Sequence, residues 1–246
     1  MHYIIVDLEF NQDFTSLNNE NIYEKYPFEI IQIGAVKVDY NLKIVDTFNE
    51  FVKPTIYSKI NPFITELTGI TTEQLVNEKN FVEIFNNFIN FINSSDAILC
   101  TWGMSDIKEL YKNAEYHKLN KENLPKMYIN IQPFVSLCLG FSTKNLLKLQ
   151  HAVELLNIPL KENFHDALND AVYTAEIFKK IYNPSLQPKI YDPSYVRIRQ
   201  RQPKKIIDFE ALIKQFEKMY GRQMTDQEQE IIKLAYKMGK TGQFIK

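Results

Sequence analysis

The chain has 246 residues, of which 45% are hydrophobic, 13% aromatic and 24% charged, a composition that buries an ordinary core and excludes disorder as the dominant state. With 29 Lys and Arg against 30 Asp and Glu the formal net charge is −1, so any polyanionic partner has to be met by local charge rather than by the protein as a whole. No run approaches the roughly 18 consecutive apolar residues of a membrane helix, and the first residues show no secretory signal pattern; the expectation is a cytoplasmic chain without a membrane partner. Cys100 and Cys138 lie in apolar stretches without Cys or His at metal-ligand spacing, and both are read as buried structural thiols.

Taken in chain order, Tyr3 to Phe10 is β-branched and aromatic and reads as a strand interrupted by Asp7 and Glu9. A polar, aperiodic stretch from Asn11 to Pro27 reads as a loop. Two further strands, Glu29 to Val38 and Leu42 to Val52, are joined at Asp39-Tyr40-Asn41 as a hairpin. Phe81, Ile84, Phe85, Phe88, Phe91 and Ile92 recur at three and four and predict an amphipathic helix. Then follow a buried strand at Ala97 to Trp102, a helix over Met104 to His117, a strand at Tyr128 to Phe134, and helices over Asn145 to Asn157 and Asp166 to Tyr182. Strands alternating with helices after an opening hairpin predict an α/β domain with a mixed sheet.

The charge divides unevenly. Residues 1 to 188 carry 16 basic and 23 acidic residues, whereas residues 189 to 246 carry 13 and 7. The second segment is therefore read as a basic linker and helical C-terminal extension to a domain spanning 1 to 188. Its extended opening, Tyr195 to Lys205, holds Arg197, Arg199, Arg201, Lys204 and Lys205, which either grip a substrate backbone or are simply solvated. Two helices follow, one over Asp208 to Tyr220 closed by Gly221, the other opened by the Thr225/Glu228 capping-box spacing.

Three groups of residues carry chemical interest. Asp7 and Glu9, two apart on a strand, project from one face. Adjacent anions in an apolar strand call for a cation or a donor network, so the pair marks either a divalent metal site or the solvated face of an edge strand. In His165-Asp166-Ala167-Leu168-Asn169-Asp170-Ala171 a His precedes a helix bearing an Asp one turn in. The small Ala167 and Ala171 would let that helix approach the sheet and bring Asp170 to the strand carboxylates; alternatively Asp166 caps an ordinary helix and His165 is a plain loop residue. Asp106, in Thr101-Trp102-Gly103-Met104-Ser105-Asp106, follows a buried strand, where it either completes an acidic cluster or caps a helix.

In order and at domain-scale spacing these motifs resemble the DEDDh branch of the 3′–5′ exonucleases, which includes ribonuclease T, oligoribonuclease and the proofreading subunit of bacterial replicative DNA polymerase. Glu29-Ile30-Ile31-Gln32-Ile33-Gly34-Ala35-Val36 and Leu67-Thr68-Gly69-Ile70-Thr71 resemble further family segments, and the likeness covers about residues 1 to 183. Two departures stand out. Phe10 replaces a common Thr, and Trp102-Gly103-x-x-Asp106 is similar to the Eri-type and histone-mRNA exonucleases and their bacterial relatives, which tilts the expected substrate toward RNA.

The resemblance implies a ribonuclease-H-like fold with a central mixed five-stranded sheet and helices on both faces, and hydrolysis of single-stranded RNA or DNA from the 3′ end to nucleoside 5′-monophosphates. It implies two divalent cations, Mg²⁺ or Mn²⁺. Asp7 would bridge both, Glu9 and Asp170 would complete the first, and Asp106 would hold the second largely through water. His165 would be the general base, imidazole being suited to proton exchange near neutrality. Phe10, Leu67 and Gly69 would contact the 3′-terminal nucleotide, unless Phe10 and Leu67 are core. The competing expectation is a nucleic-acid-binding or scaffolding protein on a nuclease fold.

Overall fold

The computed structural model describes residues 2–12, 28–94, 96–142, 146–160, 162–184, 186–194 and 208–240. Most of the polar loop and the basic Tyr195–Lys205 stretch lie outside them. The chain divides into two compact units, Met1–Tyr195 and Val196–Lys246.

In the first unit β1 (Tyr3–Asn11), β2 (Glu29–Val38) and β3 (Ile44–Phe51) form an antiparallel meander. Two short helices, α1 (Pro62–Thr68) and α2 (Thr72–Leu75), precede α3 (Phe81–Ile92). Next come β4 (Ile98–Thr101), α4 (Ser105–Tyr116), β5 (Met127–Asn130) and α5 (Ile131–Cys138). The unit ends with α6 (Leu149–Leu155), α7 (Ala167–Ile181) and the two-residue β6 (Lys189–Ile190). The sheet has six strands in the order β3-β2-β1-β4-β5-β6; β1, β4 and β5 are parallel, so their carboxyl ends share one edge.

Helices cover both faces. The phenylalanine stripe of α3 and the apolar side of α4 pack on Ile4, Val6 and Leu8 of β1, while α5, α6 and α7 cover the opposite face beside Tyr3 and Ile5. Burying each such Phe side chain contributes about 1.5–3 kcal/mol, which is why α3 holds although three of its twelve residues are Asn. Buried polar side chains fix the connections. Glu29 accepts backbone N–H groups from Thr55, Ile56 (2.6 Å) and Tyr57 (2.9 Å). Asn11 clamps the next turn by donating to the Lys59 carbonyl and accepting from the Asn61 amide, both at 3.0 Å, so the start of α1 is tied to the end of β1.

Several expectations need correction. The strand expected over Tyr128 to Phe134 stops at Asn130, whose side chain accepts from the Gln132 amide and caps α5 instead. The helix expected over Asn145 to Asn157 is limited to α6 among the described residues. The sheet gains a sixth strand because Lys189–Ile190 pairs with β5, so chain beyond residue 188 still belongs to the sheet. Cys100 is buried and burial raises its thiol pKa, but Cys138 at the end of α5 is exposed. His117, at the end of α4, is half-buried against Phe81 (ring centroids 5.2 Å), its Nε2 lacks a partner, and burial lowers its pKa.

In the second unit, described by itself, α8 (Phe209–Tyr220) and α9 (Asp226–Lys240) form a helical hairpin. Asp208 caps α8, Gly221 ends it at φ +66°, and the reciprocal Thr225/Glu228 bonds form the expected box. Among the described residues no helix is long and apolar enough to cross a membrane.

Where α7 crosses β2 the two backbones come very close: a Cβ built on Gly34 would lie 2.1 Å from the carbonyl carbon of Ala167. Gly34→Ala is therefore expected to lower stability by about 3 kcal/mol or more, read from urea denaturation; a midpoint equal to wild type would show that the helix yields freely.

Candidate active site

The site is assembled from the strand register outward. Alternation along β1 puts Ile4, Val6 and Leu8 on one face and Asp7 and Glu9 on the other, the face that α7 covers. Across the ladder Asp7 pairs with Gly34 and Glu9 with Gln32. Both carboxylates thus sit where α7 comes nearest the sheet. Because β1 lies between β2 and β4, the reading of a solvated edge strand falls away.

The start of α7 is held by a small network. Gln32, fully buried, donates Nε2 to Asp166 Oδ2 (2.9 Å) and to Asn49 Oδ1 (2.9 Å) and accepts the Ala167 amide at Oε1 (3.2 Å). Asp166 caps the helix through Oδ1, which accepts the Asn169 amide at 3.0 Å. Just before the cap, His165 adopts φ +66°, a left-handed conformation that a non-glycine residue keeps only when its surroundings impose it. Its amide donates to Asp170 Oδ2 at 3.2 Å. Glu9, His165 and Asp170 each present a ligand atom within 4.8 Å of the others.

Asp106 lies in the first turn of α4 at the carboxyl end of β4, buried to 6% exposure. It is not the cap, since Met104 occupies that position without a side-chain bond. Gly103, at φ +104°, makes the reversal out of β4, and its amide donates to Asn130 Oδ1 at 3.1 Å.

The electrostatics are those of crowded, dehydrated anions. Burial is the main cause throughout, and neighbouring carboxylates add to it. Asp7 is raised well above the usual range by burial and then by Asp106, Asp170, Glu9 and Asp166. Glu9 is pushed up to about 8 by burial and by Asp170, Asp106 and Asp166. Asp106 rises to about 7 through burial, opposed by its own backbone N–H and assisted by Asp170. Asp170 rises to about 6 through burial, with the His165 N–H pulling down and Asp166 pushing up.

Among the described residues no Lys or Arg forms an ion pair with Asp7, Glu9, Asp106 or Asp170, and Asp170 Oδ1 is buried without a hydrogen-bond partner. A buried oxygen left open beside three other carboxylates fits hard divalent cations, whose preferred donors are oxygens.

The proposed nucleotide contacts fall in different settings. Phe10 follows a bulge in β1, is half-buried, and packs on the α3/α4 core and on Phe28. Leu67 is 41% exposed on α1, and Gly69 caps that helix at φ +76°. Sequence reasoning missed Gln32 and Gly34; the signal available was a Gln and a Gly inside an otherwise apolar strand.

The RNase T exonuclease family profile matches residues 4–178. A PolC-type DNA polymerase III of Caldanaerobacter subterraneus subsp. tengcongensis is 34% identical over 180 residues, covering 73% of this chain but 11% of that protein. The probable 3′–5′ exonuclease KapD of Bacillus subtilis is 23% identical over 181 residues, covering 72% and 83% of the two chains. Among solved structures, the nuclease domain of 3′hExo, a DEDDh family member bound to rAMP, superposes with a TM-score of 0.64 at 23% identity, covering 78% of this chain and 96% of that one.

Fold and motif order therefore define a ribonuclease-H-like nuclease domain. The chain belongs to the RNase T exonuclease family.

Carboxylates with raised folded-state pKa values contribute stability that is fully present below their unfolded values near pH 4 and is lost as pH rises through the folded ones. With chelator, thermal stability should fall between about pH 4 and about pH 8, the span set by the values reached by Asp170, Asp106 and Glu9. Added Mn²⁺ should restore most of the loss at the alkaline end. Melting temperatures independent of pH and of Mn²⁺ would contradict this account of the cluster.

Proposed function

We propose that this chain is a cytoplasmic, metal-dependent 3′–5′ exonuclease acting on single-stranded nucleic acid, RNA before DNA, and releasing nucleoside 5′-monophosphates. The observation that carries the reading is the convergence of Asp7, Glu9, Asp106 and Asp170 at one end of the sheet, with His165 beside Glu9 and Asp170 and an open buried oxygen among them.

Asp7, Glu9 and Asp170 would hold one divalent cation, and Asp7 with Asp106 the other, Mg²⁺ or Mn²⁺. Such ions supply stabilisation of negative charge on the attacking and leaving oxygens of a phosphodiester. The chain's own contribution is placement and proton handling. The bond from the His165 amide to Asp170 and the left-handed backbone at His165 set the imidazole beside the carboxylates, on the entering loop rather than within the helix. There a ring nitrogen of His165 takes a proton from the attacking water as its oxygen bonds to phosphorus. The bond from phosphorus to the upstream 3′ oxygen breaks, that oxygen is protonated from solvent, and a 5′-monophosphate leaves.

At the other side of the site, Leu67 would offer an apolar surface for the terminal base and Gly69 would allow close approach at the helix end, while Phe10, half-buried against the α3/α4 core, would add an aromatic edge. Stacking of this kind tolerates any base. The preference for RNA is supported by the Trp102-Gly103-x-x-Asp106 motif and by the similarity to a nuclease domain bound to rAMP.

Digestion of matched 5′-labelled single-stranded RNA and DNA tests the proposal. Mg²⁺ or Mn²⁺ should support a ladder shortening from the 3′ end, faster on RNA, and chelator should stop it. Asp170→Ala should abolish it, and His165→Ala should lower kcat by about 100-fold or more. Intact oligonucleotides in every lane, with salt-dependent binding retained, would favour a binding protein on a nuclease fold.

A further inference from the structure

The parallel strands β1, β4 and β5 end on the same edge of the sheet, and the carboxylates use only the first two of those ends. The third is not filled. Between the carboxyl end of β5, the first turns of α5 and the chain entering β6 lies a cavity of about 240 Å³, lined by Met104, Tyr128, Asn130, Phe134, Gln187 and Lys189 among others. Neighbouring strands are about 4.8 Å apart, so this cavity lies roughly 10 Å from β1, a step an extended single strand covers within its first few nucleotides. Met104 links it to the site, because the turn it belongs to delivers Asp106.

Resting on the exonuclease reading above, we infer that this cavity is a subsite for a nucleotide upstream of the scissile bond. The base would lie against Phe134 and Tyr128, and the Lys189 ammonium at the rim would meet a backbone phosphate. Three features favour that occupant. No carboxylate lines the cavity, whereas the larger one of about 540 Å³ beside α7 sets Glu162 and Glu176 against a single cation, Lys180. Aromatic and thioether surface with two side-chain amides suits a planar, polar-edged ring without demanding one base. The cavity also lies beyond β4 from β1, whereas α1, with Leu67 and Gly69, contacts β1 itself. A strand whose 3′ end rests on α1 and whose scissile phosphate lies at the carboxylates then runs on toward β5.

The test uses the full chain with Phe134→Leu, which stays apolar but removes the ring, and with Lys189→Glu at an exposed position. Two readouts are taken. One is the ratio of kcat/KM for a single-stranded hexanucleotide to that for the p-nitrophenyl ester of thymidine 5′-monophosphate, which has no upstream nucleotide. The other is the Kd of a fluorescein-labelled hexanucleotide with chelator present, measured without turnover. Both variants should lower the ratio and raise the Kd by about fivefold or more. Values within twofold of wild type in both readouts, with circular dichroism unchanged, would overturn the subsite. If wild type hydrolyses neither substrate but the variants still weaken binding, the exonuclease reading falls while the subsite stands.

Discussion

The site depends on one steric fact: at Gly34 the backbone of β2 has no side chain, and the backbone of Ala167 fills the space a Cβ would take. Helices normally ride on sheets at a separation set by the side chains between them. Removing that layer at a single point lowers the first turn of α7 onto β2 next to Asp7, its partner across the ladder. Asp170, one turn along, and His165, just before the cap, are thereby brought to β1. A bulkier residue at 34 would lift the helix and open the cluster without touching any of its charged residues.

Close approach alone would leave the helix free to slide or roll. Gln32, two residues before Gly34 on β2, prevents this by binding both the cap residue Asp166 and the Ala167 amide. One buried amide thus satisfies a free N–H at a helix start and fixes the helix's rotation. The charge of Asp166 has a second effect, adding to the repulsion felt by Asp7, Glu9 and Asp170. Capping and tuning are performed by the same carboxylate, so the helix that carries Asp170 cannot be secured here without making the cluster more electron-rich.

What could be read from the amino-acid order divides along local and non-local lines. Period-two alternation placed Asp7 and Glu9 on one face, period-3.6 recurrence found the α3 stripe, and Ala167 and Ala171 announced a close helix. Those signals are local and repeat within a few residues. That β1 is central rather than an edge was not legible, because strand order is a property of the whole sheet. Nor was the end of β5: Ile129 and Ile131 continue an apolar run, and only the cap made by Asn130 turns it into a helix. Cys138 misled for the same reason, since an apolar neighbourhood in sequence says little about which side of α5 faces water.

Asp7, Asp106 and Asp170 lie far apart along the chain and on three different elements, so they do not meet in the unfolded ensemble. Their mutual repulsion and their loss of water belong to the native state alone, and neither is offset by a lower-energy local arrangement beforehand. A fold that gathers them must therefore draw on the packing of its two core layers, which the buried aliphatic side chains of β1 and β2 provide in quantity. The same separation explains the division between a rigid sheet and a helix set down at one glycine: the strands carry the stability, and the helix start adds Asp170 to the charges that β1 and α4 already hold.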